Sequence, residues 1–133
     1  MILQYMLDTD ICIHIINARP EKLIQKFERH AEQLSISSVA LAELFYGAEK
    51  SSRRLASLET VVNFAARLEV LSFGQTAAAH YGQIRVELER AGKPVGTHDM
   101  LIAAHARSEG LIVVTRNRRE FDRISGLRVE NWL

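Results

Sequence analysis

The run LIVVT, residues 111–115, limits the fold more than any other stretch of this chain. It shows no alternation of apolar and polar positions, so neither face is reserved for water. A strand of an antiparallel sheet with one wet face alternates. An unbroken β-branched run instead marks a strand covered on both faces, which helix-flanked parallel sheets provide. Shorter runs of similar character occur at ILQYML (2–7), LSIS (34–37) and EVLSF (69–73), and LRVENW (127–132) reads as a closing strand. The segments between them carry helical periodicity.

DICIHIINA predicts a helix capped by Thr9 or Asp10, and RPEKLIQKFERHAEQ one with Pro20 at its first helical position. SVALAELFYGAEKS follows as a helix capped by Ser37 or Ser38, then RRLASLETVVNFAARL as an amphipathic one. QTAAAHYGQIRVELERAG is a long helix closed by Gly92, and HDMLIAAHARSEG a helix capped by Thr97 and stopped by Gly110. NRREFDRI reads as a short helix. Strands separated by one or two helices require right-handed crossovers. The expectation is therefore an α/β domain of three layers, α/β/α, with a mainly parallel central sheet, spanning residues 1–133 as one unit.

In such sheets ligands bind beyond the carboxyl ends of the strands, where Asp8, Ser37, Ser38 and Thr115 fall. Charge adds little: Lys plus Arg is 17 against 16 Asp plus Glu, so any attraction for a polyanion must be local. The one local candidate is Arg116, Arg118 and Arg119. The single cysteine, Cys12, rules out an internal disulfide and, in an apolar helix with no partner histidine, is a poor nucleophile. The apolar start ends at Asp8, too short to span a bilayer and without the flanks of a signal peptide, so a cytoplasmic protein is expected.

Three acids stand where helices and strands have little use for them. Asp8 closes an apolar strand. Glu43 is the only charged residue between Val39 and Ala48, on a helix apolar all round, which predicts a carboxylate in or beside a buried wall. Asp99 lies in the first turn of its helix, where the helix dipole alone would also favour it. Three acids on separate elements suggest one site for a hard cation, Mg²⁺ or Mn²⁺. Zinc is disfavoured, because the five histidines are scattered and have no cysteine partners at ligand spacing. His98 and His105 share a helix face and are expected to be half-buried or at the surface. No glycine-rich phosphate loop is present.

MLDTD after a short strand, SSVALAELFYGAEKS, GKPVGTHDMLIAAHA and LIVVTRNRREFDRISGLRVENW together resemble, in order, the segments of PIN-domain ribonucleases, and more narrowly the VapC-type toxins of bacterial type II toxin–antitoxin pairs. The similarity runs along essentially the whole chain. It implies a Mg²⁺- or Mn²⁺-dependent endoribonuclease that hydrolyses a phosphodiester bond in RNA, with transfer RNA the usual target. By position Asp8, Glu43 and Asp99 become the catalytic acids. Asp8 and Asp99 hold the metal, and Glu43 is a ligand or acts through water. Many PIN domains carry a fourth acid two residues after the Thr that ends the strand; here Asn117 stands there and Glu120 follows, and either group can fill the place. Thr9 and Thr115 are expected to offer hydroxyls to the site or to phosphate, and Arg116, Arg118 and Arg119 to hold RNA. The resemblance further implies a VapB-type antitoxin as partner, and a homodimer.

Two other classes compete. LDTDIC also resembles the first motif of haloacid-dehalogenase-like phosphatases, with Asp8 as nucleophile and Asp10 as acid/base. Those enzymes need a later lysine, and none follows Lys93. A non-catalytic dimerisation or adaptor module would use the same acids merely as helix caps.

Overall fold

Each run read as a strand pairs with another, and all pair in parallel. A computed structural model describes residues 2–133. Its strands are β1 (Tyr5–Leu7), β2 (Leu34–Ser37), β3 (Glu69–Leu71), β4 (Ile112–Val114) and β5 (Val129–Glu130). Its helices are α1 (Thr9–Ile16), α2 (Glu21–Arg29), α3 (Ser38–Glu49), α4 (Arg54–Ala65), α5 (Gln75–Ala91), α6 (Thr97–Glu109) and α7 (Arg118–Phe121). They flank a five-stranded sheet of order β3-β2-β1-β4-β5, the expected three-layer arrangement.

This order fixes the site. The chain builds outward from β1 through β2 to β3, then crosses back to lay β4 on the other side of β1. Leu7 pairs with Val114, so Asp8 and Thr115, the next residues, stand side by side at the carboxyl edge. The Asp8 amide continues the ladder by donating to the Val114 carbonyl at 3.0 Å. Such a reversal of strand order is where α/β sheets open a crevice. The inner strands are sealed: Met6, Leu7, Ile36, Val113 and Val114 are fully buried. Burying one such aliphatic side chain is worth about 1.5–3 kcal/mol, which makes the strands under the site a stiff platform. The edges are kept short, two residues in β5 and three in the exposed β3.

Several local expectations need correction. The cap of α1 is neither Thr9 nor Asp10 but Asp8, whose Oδ1 accepts from the Ile11 N–H at 2.8 Å. As the last extended residue of the strand, with ψ 168°, it has the backbone a cap requires. Thr97 is the first residue of α6, and Gly96 takes the cap position. Pro20 stands at the cap of α2, one place before the first helical residue. Ser37 caps α3, while Gly92 and Gly110 end their helices with φ of 65° and 69°, a left-handed turn that a side chain would strain. His105 is not at the surface: it is 1% exposed, because α6 carries Ile102, Ala103, Ala104 and Ala106 into the core around it. No helix among the described residues is long and apolar enough to cross a membrane.

Candidate active site

Asp8 is only 2% exposed and makes two hydrogen bonds, one from the Ile11 N–H and one from the Thr115 hydroxyl. Burial pushes its carboxyl up to about 6, against those two bonds and with help from the charges of Asp10 and Asp99. Thr115 is fully buried, and its Oγ1 also accepts from the Asn117 N–H at 2.8 Å. Its hydroxyl therefore joins Asp8 to the loop after β4. Thr9 Oγ1 is buried with no hydrogen-bond partner among the described residues.

Asp99 reaches the same place from the first turn of α6. Its carboxyl is also raised, first by burial and then by the charge of Glu120. The Asn117 side-chain amide donates to Asp99 Oδ2 at 3.3 Å and also to Glu120 Oε2. Glu120 in turn accepts the Gly96 N–H at 3.1 Å. Burial pushes the Glu120 carboxyl up, but the bonds from Asn117 and Gly96 outweigh it and hold the group below its usual range. Asp99 and Glu120 lie close enough for each to move the other's carboxyl, Asp99 upward and Glu120 downward. The Asn117 amide thus bridges Asp99 and Glu120, the other group expected as a candidate for the fourth position.

Glu43 stands beside a buried wall and not within it. The buried residues of α3 are Ala40, Leu44 and Ala48, while Tyr46 is 60% exposed, so one flank of this apolar helix is open. The Glu43 side chain is one-third exposed and pairs with His98 Nε2 at 2.7 Å. It borders an open groove walled by Ile13, Ile16, Leu44 and Val61.

The basic cluster is largely paired. Arg116 forks onto Asp10, with Nε to Oδ2 at 2.8 Å and Nη2 to Oδ1 at 3.3 Å. Arg118 donates to Asp122 at 3.2 Å, whereas Arg119 is exposed and forms no ion pair among the described residues. Sequence reasoning did not assign His98 to the site, and it brought in Asp10 as the acid/base of the phosphatase reading without its link to Arg116. The signals available were the adjacency of His98 to Asp99, and the pairing of β1 with β4, which carries Asp10 to Arg116.

The donors fit a hard cation. They are all oxygens, two of the carboxyl groups are raised by crowding and burial, and the cluster sits at the sheet's crevice. Among the described residues no three His, Cys, Asp or Glu side chains enclose a common point. An ion held here would therefore take at most two of these carboxylates directly, not all of Asp8, Glu43 and Asp99.

The topology and an acidic crevice at the β1–β4 switch define a class, and comparison with known families agrees: residues 5–127 match the PIN domain, and the chain belongs to that family. Within it the similarity is to VapC ribonucleases. The chain is 50% identical to a tRNA(fMet)-specific endonuclease VapC of Shigella flexneri and 51% identical to that of Salmonella typhimurium, over 98% of each chain in both cases. The structure of a DNA-bound VapBC complex from Salmonella typhimurium superposes with a TM-score of 0.96 at 50% identity, over 98% of this chain and 99% of that one. The phosphatase and adaptor readings find no support here. Asp10, the acid/base of the phosphatase reading, is tied to Arg116 instead.

Proposed function

We propose that this protein is a divalent-metal-dependent endoribonuclease of the VapC toxin type, that it hydrolyses a phosphodiester bond in transfer RNA in the cytoplasm, and that a VapB-type antitoxin neutralises it, the toxin itself pairing as a homodimer. One observation carries the catalytic reading. Asp8, almost fully buried, ends the central strand within the field of Asp99, a placement that costs the fold and serves an ion. Asp8 and Asp99 would hold that ion, with Glu120 completing the acidic rim. Bound Mg²⁺ or Mn²⁺ supplies a Lewis acid that offsets charge on the phosphate and acidifies water.

The chain's own residues set the geometry. Thr115 orients Asp8, Asn117 fixes the separation of Asp99 and Glu120, and His98 holds the flexible Glu43 side chain, which accepts a proton from water at its free carboxylate oxygen. Arg119, with no ion pair among the described residues, is the cation best able to meet a phosphate.

The test uses purified protein and transfer RNA, with chelator and then with Mg²⁺ or Mn²⁺, mapping the cut ends. Cleavage should need the metal and vanish in Asp8→Asn, whose amide oxygen still caps α1. Metal-independent cleavage, or full activity in that variant, would remove the assignment. The antitoxin and homodimer readings are checked by light scattering of the protein alone and co-expressed with the product of its neighbouring reading frame.

A further inference from the structure

On the side of the acidic crevice away from Glu43 lies an open cleft of about 470 Å³, walled by Asp10, Arg116, Asn117 and Asn131. That volume falls in the range of small-ligand sites. Its walls come from the carboxyl ends of three adjacent strands. Asp10 follows β1, Arg116 and Asn117 follow β4, and Asn131 follows β5, whose Glu130 carbonyl accepts the Thr115 N–H at 3.0 Å. The cleft therefore lies along the same carboxyl edge of the sheet as Asp8 and Thr115, and every wall residue is polar or charged. It suits one unit of a polar polymer lying over the acids.

The Asp10–Arg116 pair decides what that unit meets. Asp10 engages the Nε–Nη2 edge of the guanidinium, at 2.8 and 3.3 Å, and so fixes the plane of a side chain that is otherwise 44% exposed. The end-on edge is left: Nη1 and the outer hydrogen of Nη2, two parallel donors. Asp10 also cancels the arginine's charge, and Asp8 adds a second negative charge within its reach, so the position has little to offer a phosphate. A rigid donor pair without net charge reads neutral paired acceptors. Asn131 has its side-chain oxygen occupied by the Leu133 N–H at 3.0 Å, which leaves its amide hydrogens to face a ligand. Arg116 and Asn131 thus bring free donors to the cleft wall, whereas Asn117, with both amide hydrogens spent on Asp99 and Glu120, brings an acceptor oxygen.

From this geometry we infer that the cleft is a specificity subsite for a nucleobase next to the scissile phosphate, that it selects guanine, whose O6 and N7 are adjacent acceptors, and that Arg116 reads the base while Asp10 positions it. The inference rests on the ribonuclease reading above. Bidentate arginine recognition of guanine discriminates by roughly 5- to 150-fold against other bases.

The experiment takes short oligoribonucleotides with one mapped cut site and varies each flanking base in turn. Values of kcat/KM are compared for wild type, Arg116→Ala and Asp10→Asn. Salt dependence of binding is measured with Asp8→Asn as the background, so that the RNA stays intact. Wild type should prefer guanine at one flanking position by roughly 5- to 150-fold, and Arg116→Ala should erase that ratio with no change in salt slope. Asp10→Asn should shrink the ratio and steepen the log–log slope by about 0.7–0.9, because the uncovered charge now takes a phosphate. Two results overturn the inference and leave the nuclease standing. One is a wild type that cuts without preference at those positions. The other is an Arg116→Ala variant that slows every substrate alike and flattens the slope by about 0.7–0.9, the mark of a phosphate ligand. A wild type that cuts no RNA with metal present removes the underlying reading and this one together.

Discussion

Replacing Asp8 by Asn should stabilise the metal-free protein at neutral pH, although it removes a residue on which the proposed chemistry depends. Burial, and then the charges of Asp10 and Asp99, raise the Asp8 carboxyl from 3.8 to about 6 despite its hydrogen bonds. A carboxyl whose folded pKa lies above its unfolded one contributes stability that is complete below about 3.8 and is lost as the pH rises through about 6. A gap of roughly two units, at about 1.4 kcal/mol each, makes the ionised group cost about 3 kcal/mol. Asp8 is 2% exposed, so solvent screens little of this. Asn carries no charge and still offers an oxygen to the Ile11 N–H, since Asn and Asp cap equally well. For a chain of this size the gain corresponds to a Tm rise on the order of 10 °C. His105 complicates the raw pH profile. Burial lowers its pKa from the ordinary 6.5, so its contribution is present above that value and lost as the pH falls. It is common to both proteins and cancels in their difference. Thermal melts in chelator from pH 4 to pH 8 should therefore coincide at the acid end and separate through pH 6, with the variant higher. Excess Mn²⁺ should then raise the wild type and leave the variant where it was. A variant that melts at or below wild type at neutral pH in chelator would show that the buried carboxylate is not under electrostatic load, and the reasoning would fail.

Three further outcomes follow from the same geometry. Asn117→Asp places a third carboxylate against Asp99 and Glu120, so chelated protein should melt several degrees lower and gain more from Mn²⁺ than wild type; equal gains would mean that Asn117 does not face the ion. His98→Ala breaks a pair whose imidazole is 61% exposed, so stability should move by less than about 1 kcal/mol while kcat falls and KM holds; unchanged kcat would show that Glu43 needs no holding. Arg119→Ala should reduce the log–log salt slope of RNA binding by about 0.7–0.9, and Arg118→Ala, whose charge Asp122 already meets, by less; the reverse order would exchange their roles.

The sheet was legible in the sequence because burial on both faces leaves an unambiguous mark. LSIS corresponds to β2 residue for residue, and LIVVT contains β4. The outer limits were not, since ILQYML and LRVENW pair only over Tyr5–Leu7 and Val129–Glu130, where a neighbour happens to reach. The helix cap at Asp8 was masked by two good candidates, Thr9 and Asp10, directly after it. For Glu43 the sequence left open a place in or beside a buried wall, because composition reports how apolar a helix is and not how much of it is covered; α3 leaves Tyr46 in solvent. The fork between Arg116 and Asp10 joins residues 106 positions apart, and no local rule reaches that far. It becomes visible only once β4 is laid beside β1.

That strand order also fixes how late in synthesis the proposed site can assemble. A ribosome that has translated the first hundred residues has supplied β1, β2 and β3, and with them Asp8, Glu43 and Asp99. It has not supplied β4, the strand that flanks β1 on its other side, nor Thr115, Asn117 and Glu120. Until the last segment emerges, Asp8 stands at the edge of an incomplete sheet and Asp99 has no tether. Placing the fourth strand beside the first makes completion of the proposed site wait on the longest-range pairing of the sheet.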